Sequence, residues 1–338
     1  MPRKRRRGRI PTPAWERQHG TIGRTLLGRT PQFYATVGII LLVVAALGVV
    51  AYAVASDRIA EANRPNETAL KVGDKEYTLE YYTDRLKDLV QQLGGVQQVQ
   101  AQTAIAGMTQ QLLQEAIVLR FAADEGQSAT DDDVNGEIAT RLGITKDDAN
   151  FQTRFQEELA RSGLKEDKYR DMASAAVLRK KLLDKFTSEV PASAESVHYR
   201  QILVGSQTEA DAVRTQIEGG ADFAALAQEK STDTATKSKG GDTGWVPRGV
   251  LAKAVEDQLF GQEVNKITTY PVQSGVYVYQ VLEKAADRAV EDTQKSTLAQ
   301  RKLQDWMTEK QKSVTVEDTL SSDTDQLSYV RDHVGFVQ

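Results

Sequence analysis

The side chains of this chain that could support chemistry lie in short blocks between residues 199 and 283. In chain order the blocks read Tyr-Arg-Gln-Ile-Leu-Val (199–204), Gly-Ala-Asp-Phe-Ala-Ala-Leu-Ala (220–227), Ser-Thr-Asp (231–233), Gly-Gly-Asp-Thr-Gly-Trp (240–245) and Gly-Val-Tyr-Val-Tyr-Gln-Val (275–281). Asp233, Gln201 and Tyr277 supply a carboxylate, an amide and a phenol, all of which form hydrogen bonds. The chain has no cysteine, which excludes disulfides and thiol catalysis.

Taken together and in this order, the blocks resemble the parvulin-type peptidyl-prolyl isomerase domain. A single Gly-Gly-Asp turn occurs in many proteins, but five blocks at the right intervals are hard to obtain by chance. The resemblance implies a four-stranded antiparallel sheet with flanking helices, and rotation about an X–Pro bond as the reaction. That rotation is slow because the C–N bond is partly double. It needs an apolar pocket and oriented hydrogen bonds, and no metal or cofactor is implied.

The resemblance also assigns positions in the site. Parvulins place two histidines and a Cys or Asp beneath the pocket. Here Asp233 matches the Cys or Asp position, whereas Gln201 and Tyr277 stand at the two histidine positions. The substrate-binding positions, usually Leu, Met and Phe with a further Phe at a helix end, match Thr243, Leu251, Val255 and Phe260. His198 precedes Gln201 by three residues, so strand alternation predicts that it lies on the opposite face.

Three interpretations of these substitutions stay open. Gln and Tyr both form hydrogen bonds, so a variant Asp/Gln/Tyr network could still catalyse isomerisation. Alternatively, Val255 and Thr243 make a poorer pocket, and one buried apolar side chain contributes about 1.5–3 kcal/mol. We therefore expect weak or absent isomerase activity with surviving peptide binding. The third interpretation is an assembly subunit that uses the domain to dock one fixed partner.

The first 55 residues differ in composition from the rest. Residues 1–32 carry nine Arg and Lys and one Glu, a net +8, which leaves −12 for the remainder of a chain whose total is −4. Residues 33–55 contain no charged residue and are long enough to cross the ~30 Å hydrocarbon core of a bilayer. Basic sequence before this segment and acidic sequence after it predict a single-pass anchor with a cytoplasmic N-terminus.

A cleaved signal peptide is the alternative, because Ala51-Tyr52-Ala53 and Ala53-Val54-Ala55 could serve a signal peptidase. The basic arm, residues 1–32, is also expected to be attracted to anionic membrane lipid. No nucleic-acid partner is expected, since no aromatic interleaving or nucleic-acid fold signature accompanies the arginines.

The remaining chain predicts an α+β protein built from several segments. They are a linker (56–68), a helical domain that opens with a hairpin (69–190), the parvulin-like domain (196–284), a helix (288–313) and a polar tail with a possible strand at Val314–Val316 (314–338). Over about residues 69–313 this order resembles the extracytoplasmic chaperone-foldases of the SurA, PrsA and PpiD group. That likeness implies that the parvulin domain is inserted into the helical domain, with Trp306 in the helical core. It also implies unfolded or translocating polypeptides and X–Pro segments as clients, and the secretion translocon as a partner.

Overall fold

The computed structural model describes residues 31–336, and the chain divides into two compact units between Glu67 and Thr68. In the first unit, helix α1 (Pro31–Asn63) is followed by a 3₁₀ turn (Arg64–Asn66). Its apolar side chains are open to solvent; Leu42, for example, is 72% exposed. Within the described residues it is the one helix long and apolar enough to cross a membrane, although a signal sequence has the same properties. Most of the predicted basic arm, residues 1–30, lies outside the described residues.

The second unit begins with a three-stranded antiparallel sheet. Strands β1 (Thr68–Val72) and β2 (Lys75–Thr78) form the predicted hairpin, and the turn between them uses Gly73 at a φ of +61°. A strand from the far end of the chain, β7 (Val316–Asp318), pairs with the free edge of β1. The last strand of the second unit therefore returns to its first strand.

Five helices follow the hairpin: α2 (Leu79–Gln92), α3 (Ala101–Phe121), α4 (Asp131–Arg141), α5 (Phe151–Ser162) and α6 (Glu166–Ser188). Local chemistry sets several of their ends. The Thr130 side chain and Asp133 form a capping box that starts α4. Gly94, at a φ of +95°, follows the end of α2. Tyr82, Leu112 and Leu182 are among the fully buried side chains through which these helices share one core.

The predicted four-stranded sheet lies between α6 and the next long helix. Its elements are β3 (Ser193–Val204), α7 (Gln207–Glu218), α8 (Phe223–Lys230), β4 (Asp242–Pro247), α9 (Lys253–Gly261), β5 (Ile267–Val272) and β6 (Gly275–Ala289). The strands are antiparallel in the order β4-β3-β6-β5. Helices α7 and α8 cover one face and α9 covers the other, so each face has its own small core. Strand β3 begins before the sequence block at 199–204, and β6 continues beyond the block at 275–281.

Helix α10 (Asp292–Gln311) carries the chain back to the helical core, where Ala299, Leu303 and Met307 are buried. Trp306 lies at the edge of that core, half-buried, with its ring 6.4 Å from that of Phe186. The Trp306 Nε1 donates a hydrogen bond of 3.0 Å to the Glu125 carboxylate. The parvulin-like domain is therefore an insertion in a mostly helical domain, which confirms the predicted fold class.

One element was not predicted. In the tail, α11 (Thr324–Val334) packs against α2, and its Val330 is fully buried. The helix starts at an Asp323 cap and ends at Gly335 in the left-handed conformation. The boundaries predicted for the individual domains stay predictions.

The insertion makes a test of stability possible. Leu303 is 2% exposed, although it lies more than 100 residues beyond α6 in the sequence. In the full chain in detergent, Leu303→Ala should lower the free energy of unfolding of the helical domain by about 2–5 kcal/mol, as for other buried leucines. Gln304→Ala, on the exposed side of α10, should change it by less than about 0.5 kcal/mol. Equal effects of the two substitutions in urea unfolding would show that α10 is not part of this core.

Candidate functional site

The face of the sheet beneath α9 is rich in tyrosine. Strand register places Gln201 opposite Tyr279, and Tyr277 opposite both Leu203 and Tyr270. Directly opposed residues point to the same face of a sheet, so these side chains form one surface. The rings of Tyr277 and Tyr279 stack with centroids 5.2 Å apart, and Tyr199 meets Tyr279 edge-on at 5.7 Å. Sequence reasoning singled out Tyr277 alone, although alternation along β6 indicates Tyr279 as well.

Gln201 and Asp233, predicted as members of one network, are in direct contact. The Gln201 Nε2 donates a hydrogen bond of 2.7 Å to Asp233 Oδ2. The same oxygen accepts a 2.5 Å bond from the Thr236 hydroxyl, and Oδ1 accepts a 3.1 Å bond from the amide of Ala235. Thr236 was missed by sequence reasoning, and its only signal is its position three residues after Asp233.

These bonds fix the charge of Asp233. Burial raises the pKa of its carboxyl, but the hydrogen bonds from Thr236, Gln201 and the backbone amides outweigh burial, so the pKa lies below its ordinary value. The carboxylate is therefore ionised at neutral pH, and the three donors stabilise that ionised form.

A glycine pair brings the main chain close to this network. The Gly241 carbonyl oxygen accepts a 2.8 Å hydrogen bond from the main-chain N–H of Gln201, and Gly241 has a φ of +84°. A Cβ atom on Gly241 would lie 2.4 Å from the Gln201 carbonyl oxygen, and one on Gly240 would lie 2.6 Å from the Cβ of Ala224. Neither position has room for a side chain. The Gly-Gly-Asp turn is thus required where it crosses β3 and α8.

Tyr277 lies on the same face but is not bonded to the pair. Among the described residues its hydroxyl has no hydrogen bond to Asp233 or Gln201. Burial raises the pKa of the Tyr277 phenol, and the negative charge of Asp233 raises it further. The phenol is accordingly neutral at neutral pH and can donate a hydrogen bond.

The predicted substrate-binding residues lie around the tyrosines. Leu251 and Val255 are half-buried and pack against the core beneath α9, and Phe260 is buried within it at 9% exposure. The Thr243 hydroxyl donates a 2.7 Å hydrogen bond to the Tyr199 carbonyl oxygen. That hydroxyl is already hydrogen-bonded to the main chain. Burying it beneath an apolar ring therefore costs less free energy than burying an unpaired hydroxyl. Roles in substrate binding stay predictions for all four residues.

His198 does not join the network. Its Nε2 lies 2.8 Å from Asp242 Oδ1, and its ring lies 5.5 Å from that of Trp245. Among the described residues no group of three or more His, Cys, Asp or Glu side chains could hold a metal ion.

Helix α10 holds the loop that carries Leu251. The Arg301 guanidinium donates to the carbonyl oxygens of Gly249 and Leu251, and the Gln294 side chain donates a 2.6 Å bond to the carbonyl of Trp245. The main chain at Leu251, a predicted substrate-binding residue, is therefore held by a helix of the other domain.

The lowered pKa of Asp233 predicts a specific pH dependence. Its stabilising effect should be complete above the unfolded-state pKa of about 3.9 and should be lost as the pH falls through the lower folded-state pKa. Asp233→Asn should thus reduce the free energy of unfolding at pH 7, and the difference from the wild type should shrink in acid. Urea unfolding of the full chain at a series of pH values measures this difference. Asp287→Asn, at an exposed carboxylate, is the control, and a difference that does not change with pH would contradict the assignment.

Comparison with known proteins covers both domains. The PPIC-type PPIASE domain family matches residues 185–285, and the SurA-like N-terminal domain family matches residues 30–183. The foldase protein PrsA of Exiguobacterium sibiricum is 29% identical over 188 residues, 48% of this chain and 59% of that protein. PrsA of Caldanaerobacter subterraneus subsp. tengcongensis is 38% identical over 101 residues, 30% of this chain and 32% of that protein. The chaperone SurA of Xanthomonas axonopodis pv. citri is 34% identical over 127 residues, 32% of this chain and 26% of that protein.

The matched part of the chain thus spans between 26% and 59% of the length of these three relatives. The solved structure of the peptidylprolyl isomerase PrsA from Bacillus anthracis is similar with a TM-score of 0.40 at 18% identity, over 60% of this chain and 92% of that chain. Both domain families are matched in order along one chain, so the protein combines a SurA-like N-terminal domain with a PPIC-type PPIase (parvulin) domain.

Proposed function

We propose that this protein is a membrane-anchored, extracytoplasmic folding factor that mainly holds unfolded polypeptides and has weak or no prolyl isomerase activity. The hydrogen bond between the Gln201 amide and the Asp233 carboxylate carries the second part of this proposal. At this position parvulins have an imidazole, which can exchange a proton near neutral pH, whereas an amide cannot. The carboxylate, for its part, already has three donors from the protein.

The pocket supports the same conclusion. Val255 stands where the family usually has an aromatic residue, so less apolar surface is available to a proline ring. Losing one apolar contact of about 1.5 kcal/mol lowers affinity by about tenfold. The tyrosine-rich face nevertheless keeps polar and apolar groups together, a combination that suits an extended peptide.

An active isomerase with a variant network is the second candidate. It is favoured by the intact chain of hydrogen bonds from Gln201 through Asp233 to Thr236, together with a neutral Tyr277 phenol on the same face. X–Pro rotation requires no nucleophile, so oriented donors alone could favour the twisted amide.

The location proposed here rests on α1 and on the charge pattern. The apolar part of α1 is exposed along its length. The nine basic residues of the arm precede it, whereas the sequence after residue 32 has a net charge of −12. Anionic lipid is the partner proposed for the basic arm. An anchored folding factor would meet polypeptides as they leave the secretion translocon, which we propose as its neighbour in the membrane.

An isomerisation assay on a proline peptide separates the two candidates. The full chain in detergent should accelerate rotation little, and Asp233→Ala should not change that rate. Restoring both histidines, Gln201→His with Tyr277→His, should raise the rate by about tenfold or more, because one oriented donor can contribute about 10²-fold. Gln228→His, on the exposed side of α8, serves as the matched control.

Appreciable wild-type turnover that disappears in Asp233→Ala would overturn the non-catalytic proposal and establish the variant network. No gain in the doubly restored variant would assign the loss of activity to the pocket at Thr243 and Val255 instead. Suppression of aggregation of unrelated unfolded proteins tests the holding function separately.

The absence of cysteine allows a clean test of topology. In spheroplasts, a membrane-impermeant maleimide should label Ser321→Cys directly, and should label Thr21→Cys only after the membrane is opened. Ser321 is exposed, so failure to label it would place the body on the cytoplasmic side. Loss of Thr21→Cys from a shortened protein would show that the N-terminal segment is cleaved.

A further inference from the structure

A cavity of about 560 Å³ lies between α3 and α6, in the helical domain and outside the parvulin-like site. Both helices line it with side chains at helical spacing, from Gly107 to Val118 on α3 and from Met172 to Leu183 on α6. Each stripe covers eleven steps of 1.5 Å, or about 16 Å of helix axis. That length matches about five residues of extended chain at ~3.3 Å each.

This cavity is an open groove, and apolar, amide and charged side chains line it. Val118, Met172 and Ala175 form an apolar base, and small residues such as Gly107 keep the groove open. Three glutamines of α3 (Gln110, Gln111 and Gln114) place amide groups along one wall. Gln111 already donates a hydrogen bond of 3.0 Å to Glu115. Amides both donate and accept hydrogen bonds, so Gln110 and Gln114 can pair with the main chain of a segment of any sequence.

The charges of the groove do not balance. Glu115 is neutralised by Arg85, whose guanidinium donates hydrogen bonds of 2.6 and 2.9 Å to its two oxygens. Arg141 is paired with Glu137 at 2.8 Å. Arg179 and Lys180 are exposed, and neither has an ion pair within the described part of the chain. The open side of the groove therefore carries two uncompensated positive charges.

Neighbouring acids do not remove this excess. Lys180 also borders a second hollow, where Asp132 pairs with Lys146 and Asp133 pairs with Lys181. Of the acids in that hollow, only Asp184 lacks an ion pair among the described residues, so it offsets Lys180 in part. Arg179 is left as the main free charge.

The positive groove lies on a body that is otherwise acidic, with a net charge of −12 beyond residue 32. At physiological ionic strength, charges are screened over about 8 Å. A ligand in the groove therefore responds to Arg179 and Lys180 more than to the distant acids.

We infer that this groove binds extended segments of unfolded polypeptide in which acidic side chains stand beside small or apolar ones. The inference rests on the proposed holding function and specifies the segments that the helical domain selects. The apolar base accepts the small side chains, the glutamines accept the main chain, and the two cations select the acidic residues by charge complementarity.

Binding of short fluorescent peptides to the full chain in detergent tests this inference. Three unstructured peptides share a Gly, Ser, Ala and Leu framework and differ only in carrying Asp and Glu, Asn and Gln, or Lys at the same positions. Anisotropy should show the acidic peptide binding about three- to tenfold more tightly than the neutral one, with the difference shrinking as salt is added. Arg179→Glu combined with Lys180→Glu should reverse the order. Arg154→Glu combined with Lys165→Glu, the same total change of charge at two exposed residues that do not line the groove, should leave it unchanged.

Each outcome has a distinct meaning. Equal binding of all three peptides, or an acidic preference that survives the double substitution, would overturn the inference while leaving the holding function intact. No binding of any peptide, together with no suppression of aggregation, would overturn the holding function and the inference with it. Concentration-dependent dimerisation abolished by Arg179→Glu would show a second copy of the chain in the groove, and would also overturn the inference. Circular dichroism of each variant establishes that it is folded.

Discussion

Strands β3 and β6 pair along their whole length, from Ser193 opposite Ala289 to Val204 opposite Val276, and the rest of the second unit depends on that ladder. The outer part of the ladder holds the two ends of the inserted domain side by side, so that α6 can end and α10 can begin at nearby points. The inner part fixes which side chains face α9. Because the side chains of a strand alternate, a shift of one residue would turn Gln201 and Tyr277 to the opposite face.

The candidate site therefore follows from sheet register more than from any single residue. Gln201 and the tyrosines are fixed on regular strands, whereas Asp233 lies on a connection after α8 that must be brought to them. Ser231 helps to hold this connection against β3, because its hydroxyl accepts hydrogen bonds from the main-chain amides of Leu203 and Asp233. Gly241 allows the following turn to cross β3 closely, because it has no side chain to meet the Gln201 carbonyl oxygen. As a result both oxygens of the Asp233 carboxylate accept hydrogen bonds, and the carboxylate is ionised at neutral pH.

Much of this could be predicted from the sequence, and the exceptions have physical reasons. The hairpin follows from a local pattern, and the placing of Asp233 and Gln201 in one site follows from the resemblance to parvulins. Helix α11 was missed because it carries few apolar residues, although Asp323 and Gly335 mark its two ends. The length of β3 and β6 could not be predicted, because their outer halves are polar and are held by each other. The contacts of Arg301 with the loop at Leu251 join residues 50 positions apart, and no local pattern indicates them.

Those long-range contacts connect the parvulin-like domain to the helical domain. Arg301 and Gln294 bind the loop that carries Leu251, and the main chain at Trp245, to α10. Helix α10 packs in the same core as α6, which lines the groove between α3 and α6. The parvulin-like domain is thus held by the helical domain at its pocket as well as at its two chain ends. Rapid turnover requires a pocket that is preorganised for the twisted amide, and we propose that Gln201 and Val255 make this pocket less suited to it. A domain kept to hold peptides needs only a persistent surface, and the ladder, the tyrosine face and the link to α10 together maintain one.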